Sequence, residues 1–105
     1  MSESRAIELS EKQRKFLRGL AHPLEPVIWI GNPGLTDGVV AETDRALRDH
    51  ELIKVKVRAA DRPAREATLL TLTQRTTSSL VHRIGHVAVL YRPRTDKPGI
   101  VIPAA

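Results

Sequence analysis

The segment Leu52–Val57 constrains the fold more than any other part of the chain, because apolar and charged residues alternate along it. Three β-branched residues occupy every second position, and Lys54 and Lys56 lie between them. This period of two is typical of a strand that buries one face and leaves the other in water. The chain must therefore supply helices that cover the apolar face of a sheet.

A helix is predicted before this strand, beginning at Ser10. Ser10 and Gln13 form a capping-box pair, and His22 followed by Pro23 ends the helix. Five residues share one face at helical spacing, and we expect this face to be buried. They are Leu9, Gln13, Phe16, Leu17 and Leu20.

The next segments continue the alternation of strand and helix. Pro26–Ile30 is apolar throughout, which favours a central strand and a buried Trp29. Thr36 is a suitable N-cap for a second helix, and a third helix is predicted over residues 64–76, after Asp61. The face of the third helix that we expect to pack consists of Ala67, Leu70 and Gln74.

Two further strands complete the pattern. Leu80–Ile84 and Val87–Tyr91 flank Gly85 and His86, which read as a two-residue hairpin turn. The resulting order α-β-α-β-α-β-β predicts an α/β fold, a two-layer sandwich with a mixed four-stranded sheet.

Length and composition exclude several classes of protein. The 105 residues allow one domain, which we place at residues 9–93 between flexible termini at residues 1–8 and 94–105. The absence of cysteine excludes disulfides, Cys-based metal sites and thiol nucleophiles. No apolar run approaches the ~20 residues of a membrane span, and the N-terminus has no signal-peptide core. We therefore expect a cytoplasmic protein without membrane contact.

Positive charge is concentrated in the second half of the chain. Residues 52–95 hold nine basic and two acidic residues, a net charge of +7, whereas residues 1–51 have a net charge of −2. A basic surface of this kind favours a polyanionic partner, most often a nucleic acid. The alternative is that the charge serves only solubility.

The segment Gly31-Asn32-Pro33-Gly34 lies between the first predicted strand and the helix capped by Thr36. The two glycines allow a sharp turn and a close approach of another backbone. The free N–H groups of the following helix attract phosphate, and a GxxG loop clamps nucleic-acid backbone in KH domains. An ordinary turn between strand and helix is the alternative interpretation.

Basic side chains on two elements are further candidates for phosphate contacts. Each set has an alternative interpretation as a solvated face, or as lysines that protect the edge of a sheet. The candidates are Lys12, Arg14, Lys15 and Arg18 on the first helix, and Lys54 and Lys56 on the strand.

The scarcity of aromatic residues argues against a protein that stacks several bases on its sheet. The chain has one Phe, one Trp and one Tyr, and we expect Phe16 and Trp29 in the core. Recognition would then depend on backbone and shape. His82 and His86 have a zinc spacing only if they lie on a helix, which Gly85 disfavours. No catalytic motif is present, so we expect no metal, no cofactor and no enzyme activity.

Four segments, in order, resemble the CRM domain (chloroplast RNA splicing and ribosome maturation), and within it the small single-domain YhbY-like proteins of bacteria. The segments are LRGLAHPLEPV at residues 17–27, IGNPGLTDGV at 30–39, HELIKVK at 50–56, and IG followed by LYRP between residues 84 and 93. The resemblance extends over about residues 9–93, nearly the whole chain between its termini.

The resemblance implies a fold similar to the C-terminal domain of translation initiation factor three, and RNA binding without catalysis. It also implies that the GxxG loop and nearby basic side chains form the RNA surface. The middle loop positions, often Lys or Arg in such loops, are Asn32 and Pro33 here. Pro33 has no N–H to donate to RNA. More of the contacts with the RNA backbone would therefore come from Gly34, the helix end and neighbouring cations.

The leading hypothesis is therefore a monomeric RNA-binding factor for assembly of the large ribosomal subunit, with ribosomal RNA of its precursors as partner. Two alternatives stay open. The protein could be a protein-interaction module on the ribosome, or it could bind another structured RNA.

Overall fold

The computed structural model describes residues 6–31 and 34–105. The order of elements and the mixed four-stranded sheet are those predicted from the sequence, so the α/β fold class is confirmed. The elements are α1 (Glu11–Ala21), β1 (Pro26–Ile30), α2 (Asp37–His50), β2 (Leu52–Val57), α3 (Arg62–Thr76), β3 (Ser79–Ile84) and β4 (Val87–Tyr91).

Each helix begins at a side-chain cap that the sequence predicts. Ser10 and Gln13 form the complete capping box of α1, in which each side chain binds the backbone of the other. Thr36 accepts a hydrogen bond from the backbone N–H of Val39 at the start of α2. Asp61 caps α3 in the same way. These caps satisfy N–H groups that would otherwise lack a partner, and so fix where each helix starts.

The strands are ordered β1-β2-β4-β3, with β1 parallel to β2 and the other pairs antiparallel. The prediction that β1 is a central strand was wrong, because β1 has only β2 as a neighbour and lies at an edge. An apolar run alone does not distinguish a strand buried on both faces from one at an edge. Ile28 and Ile30 are buried, whereas Val27 and Trp29 on the other face are exposed.

Helices cover both faces of the sheet, unequally, so the elements form three layers rather than the two predicted from the sequence. On one face, α2 and α3 bury a cluster that includes Leu47, Val55 and Leu72. On the other face, α1 buries a smaller cluster around Leu17 and Tyr91. No helix among the described residues is long and apolar enough to cross a membrane.

Two predicted helix faces need correction. In α3 the buried residues are Leu69, Leu72 and Thr76, so the predicted face of Ala67, Leu70 and Gln74 was wrong. Threonines take part in the packing face, which a search for apolar residues alone does not detect. In α1, Leu9, Gln13 and Leu17 are buried as expected, but Phe16 and Leu20 are 40% and 42% exposed.

The C-terminal segment is held against the domain by Glu51, which ends α2 with a left-handed φ of 64°. The Glu51 carboxylate is buried and accepts hydrogen bonds from the backbone N–H groups of Arg94, Gly99 and Ile100 at 2.7, 2.8 and 3.0 Å. Gln13 also donates to the carbonyl of Pro103. Flexibility of the termini stays a prediction, although residues 94–105 pack along the domain.

Candidate nucleic-acid interface

The GxxG loop connects the end of β1 to the start of α2. Asn32 and Pro33 lie outside the described residues. Gly34 has a φ of +100°, a left-handed conformation that favours glycine. Gly31 needs no such conformation, and a Cβ atom placed on it would meet no atom of the other described residues within 4 Å. The backbone at Gly31 is therefore open to the approach of another molecule.

Two other segments meet the loop at the same end of the sheet. The backbone N–H of Arg58 donates to the carbonyl of Ile30 at 2.8 Å. The N–H of Val57 donates to the carbonyl of His86 in the β3–β4 turn at 2.7 Å. We call this region, formed by residues 29–31, 34–36, 56–58 and 84–87, the loop end of the sheet.

Two cations at the loop end are not used to hold the fold. Among the described residues, the side chains of Lys56 and Arg58 make no hydrogen bond and no salt bridge, and Arg58 is exposed. Arg58 extends the stripe of Lys54 and Lys56 that the sequence predicts as candidate phosphate contacts. Arg58 directly follows the alternating strand and lies two positions after Lys56, so the period of two places it on the same face as Lys54 and Lys56.

Further basic groups border the loop end on α3. The guanidinium of Arg65 lies 3.4 Å from His86 Nδ1, and its Nε is buried without a partner in the described part of the chain. Arg83, on the neighbouring strand β3, binds Glu66 of α3 at 2.5 Å. The hydrogen bond from Arg83 holds the pKa of Glu66 below its usual value, so this carboxylate stays charged and offsets part of the positive charge.

Two of the predicted cations make hydrogen bonds within the fold. The ammonium of Lys54 donates to the carbonyls of His22 and Leu24 at 3.2 and 2.8 Å, which ties the end of α1 to the sheet. The guanidinium of Arg14 donates to the carbonyl of Leu80 at 2.6 Å. Each side chain satisfies backbone acceptors at a helix end or a strand, so its charge is already engaged.

The other α1 cations, Lys12, Lys15 and Arg18, are exposed. Helix geometry places Lys12 and Lys15 on the side away from the sheet and Arg18 on one flank. Leu20, on the opposite flank, lines a groove with His50 and Ile100, at the end of the sheet away from the loop. Arg18 therefore lies on the flank of α1 opposite that groove.

A second cluster of arginines lies at the opposite end of the sheet, around a cleft of about 700 Å³. Arg92 donates to Asp44 Oδ1 at 2.6 Å and to the carbonyl of Thr76 at 2.7 Å. The hydrogen bond from Arg92 holds the pKa of Asp44 below its ordinary value of 3.8. Arg94 donates to the carbonyls of Arg48 and Asp49. We call this region the anchored end, because its cations hold α2, α3 and the C-terminal segment together.

The expectation that Phe16 and Trp29 lie in the core was wrong. Phe16 is 40% exposed and Trp29 is 64% exposed. Trp29 alternates with Ile28 and Ile30, and only one face of the edge strand β1 is covered, so this side chain lies on the uncovered face. Within residues 6–31 and 34–105, no three His, Asp or Glu side chains converge as metal ligands would.

Residues 9–92 match the model of the CRS1/YhbY (CRM) domain. The chain belongs to this family. A relative in Haemophilus influenzae, named "RNA-binding protein", is 52% identical over 88 residues, which cover 84% of this chain and 89% of the relative. A relative in Pseudomonas aeruginosa, named "Probable RNA-binding protein PA4753", is 46% identical over 90 residues and covers 86% of each chain.

A solved structure has the same fold. The solution structure of SAV1595 from Staphylococcus aureus superimposes with a TM-score of 0.78 at 34% identity, covering 91% of this chain and all of that one. That protein is described as a candidate RNA-binding protein. The family that the sequence resembles and the α/β fold class are therefore confirmed.

Proposed function

We propose that this CRM-domain protein binds RNA without a chemical step and that the loop end is the binding surface. The observation that carries the proposal is the pair of unengaged cations, Lys56 and Arg58, beside a loop whose Gly31 backbone is open. Membership of the family and the RNA-binding names of its relatives support RNA as the polyanion.

Binding at this surface would begin with the phosphate backbone. The N–H groups of the first turn of α2, near Thr36, and the loop around Gly34 offer donors to phosphate oxygens. Lys56 and Arg58 neutralise adjacent phosphates, and Arg18 extends the positive surface along α1. Lys12 and Lys15 point away from the sheet and would contact only an RNA that wraps over the helix.

Lys54 and Arg14 have a different role in this scheme. Because their side chains bind backbone carbonyls, they position α1 and the strands rather than the ligand. In this proposal, some of the predicted RNA-binding cations contact RNA, and the others stabilise the structure of the surface that RNA contacts.

We further propose that the biological ligand is ribosomal RNA in precursors of the large subunit. Support comes from the resemblance to the YhbY-like proteins and from the net charge of +7 in residues 52–95. A small basic domain that covers an RNA element without altering it suits a transient assembly factor.

Sedimentation of the tagged protein in cell lysate, with and without ribonuclease, tests this function. We expect the protein to travel with large-subunit precursors and to leave them after ribonuclease or high salt, because phosphate contacts weaken steeply with salt. A protein that stays on ribonuclease-treated particles would be a protein-interaction module instead. A protein that remains free at the top of the gradient would contradict the ribosomal assignment.

A further inference from the structure

Trp29 is the most exposed of the three aromatic side chains, because it lies on the face of the edge strand β1 opposite the core. It is 64% exposed, while its neighbours Ile28 and Ile30 are 3% and 2% exposed. Tryptophan is highly buried on average because its large apolar surface gains most from leaving water. A ligand that covers Trp29 would recover this free energy.

Trp29 begins a row of four side chains that crosses the sheet at the loop end. The register pairs Trp29 with Lys56, Lys56 with Val87, and Val87 with Ile84. Paired residues on neighbouring strands point to the same face, with strands about 4.8 Å apart, so these side chains lie side by side. On this face α1 packs at the other end of the strands, around Tyr91. The two ends of the row, Trp29 and Ile84, are 64% and 69% exposed, and Lys56 and Val87 between them are half-buried.

The chemistry of the row matches a nucleotide. A flat indole and a cation without an acidic partner among the described residues stand on neighbouring strands, and Arg58 follows at the strand end. Nucleobases stack on exposed aromatic rings while their phosphates seek nearby cations. Because the row contains no acidic residue, its charge complements an anionic ligand with an aromatic face. Gly31 lies two residues beyond Trp29, about 7 Å along the strand, so the same strand of RNA can reach both.

We propose that Trp29 is a stacking platform for an unpaired base of the bound RNA, with Lys56 neutralising a phosphate of the same strand. The proposal rests on the proposed function and names its substrate class, an RNA with single-stranded nucleotides beside the backbone held by the loop. Since every base has an aromatic face, the platform selects unpaired over paired RNA rather than one sequence.

The test uses the fluorescence of Trp29, which is the only tryptophan in the chain. Stacking on a short oligouridylate should quench the emission and saturate with concentration, whereas a fully paired RNA duplex should quench it much less. Trp29→Leu should weaken oligouridylate binding about 5- to 100-fold, the range found for one stacked base, and leave duplex binding unchanged. Trp29→Phe, which keeps an aromatic face, should retain most of the affinity.

The matched control is Leu70→Ala. Leu70 is an apolar residue 60% exposed on α3, and its loss should change neither affinity. Because Trp29 and Leu70 are both exposed, we expect each variant to keep the fold. Circular dichroism checks this.

Three results would overturn the platform. Equal oligouridylate affinity of Trp29→Leu and the wild type would refute stacking while leaving RNA binding intact. Unchanged RNA affinities, combined with retention of the wild type but release of Trp29→Leu on ribonuclease-treated particles, would assign the row to a protein partner. If the wild type bound neither RNA, the proposed function would fail and the platform with it.

Discussion

Both ends of the sheet carry basic side chains, but the two ends use them differently. At the anchored end, Arg92 and Arg94 donate to carbonyls and to Asp44 within hydrogen-bond distance. At the loop end, Lys56 and Arg58 have no such partner among the described residues. A cation already bound to backbone acceptors would have to break those bonds to meet a phosphate, so unengaged cations mark the interface better than charge alone.

The largest expected effect is on stability at the anchored end. Glu51→Ala would remove the buried acceptor that three backbone N–H groups of the C-terminal segment share, and we expect the free energy of unfolding to fall by about 3 kcal/mol. Urea denaturation measures this change. The control is Glu42→Ala, an exposed α2 residue, which should change stability little. A loss below ~1 kcal/mol for Glu51→Ala would show that the anchored end is not held as described.

The next largest effect is on RNA affinity, and it distinguishes Lys56 from Lys54 on the same face of β2. Lys56→Met should lower RNA affinity, and combined with Arg58→Met the loss should reach about 10-fold at moderate salt, with a shallower salt dependence. Lys54→Met should instead lower the free energy of unfolding by about 1 kcal/mol and leave RNA affinity nearly unchanged, because its ammonium binds two carbonyls.

Fluorescence anisotropy with labelled RNA over a salt series, together with urea denaturation, measures both properties for every variant. Equal losses of RNA affinity from the two single lysine variants would remove the distinction between engaged and unengaged cations.

A smaller loss of RNA affinity is expected from a substitution in the GxxG loop. Gly31→Ala adds a methyl group into open space, so stability should hold while RNA affinity falls several-fold, since the methyl group keeps the RNA backbone away from the loop. Gly19→Ala, also in open space but on α1, is the matched control and should bind RNA normally. Normal binding by Gly31→Ala would exclude close backbone contact at this position.

The smallest expected effect is the pH dependence of the anchored end. Arg92 lowers the pKa of Asp44 in the folded state, so this pair stabilises the fold above the unfolded-state pKa and the gain is lost as pH falls through the folded-state pKa. Because the Asp44 side chain is 39% exposed, solvent screening limits the effect to about 1 kcal/mol or less.

Asp44→Asn should therefore be less stable than wild type at neutral pH, and the two should converge in acid. Urea midpoints across pH measure the difference, and Asp49→Asn, which alters an exposed carboxylate without a partner among the described residues, is the control. A difference that stays constant from neutral to acidic pH would show that the ion pair is not its source.

Local signals predicted the elements of this fold well because their causes are local. The caps Ser10, Thr36 and Asp61, and the alternation in β2, each act within a few residues. The edge position of β1 was missed because strand order depends on pairing between distant segments. The exposure of Trp29 follows from that edge position, so both errors have one cause.

The candidate site was only partly predictable for a related reason. The loop and Lys56 stand out in the sequence, and family resemblance placed them in an RNA surface. The engagement of Arg14 and Lys54 could not be foreseen, because their partners are the carbonyls of Leu80, His22 and Leu24. Backbone acceptors have no signature in the sequence, so only the folded chain reveals which cations they engage.

The most direct test of the central claim is an NMR titration of isotope-labelled protein with a large-subunit ribosomal RNA fragment. The account predicts that backbone and indole signals shift at the loop end, at residues 29–31, 34–40, 56–58 and 84–87. Signals at the anchored end, including residues 44–48 and 92–100, should stay in place. Shifts concentrated at the anchored end, with the loop end unaffected, would contradict it.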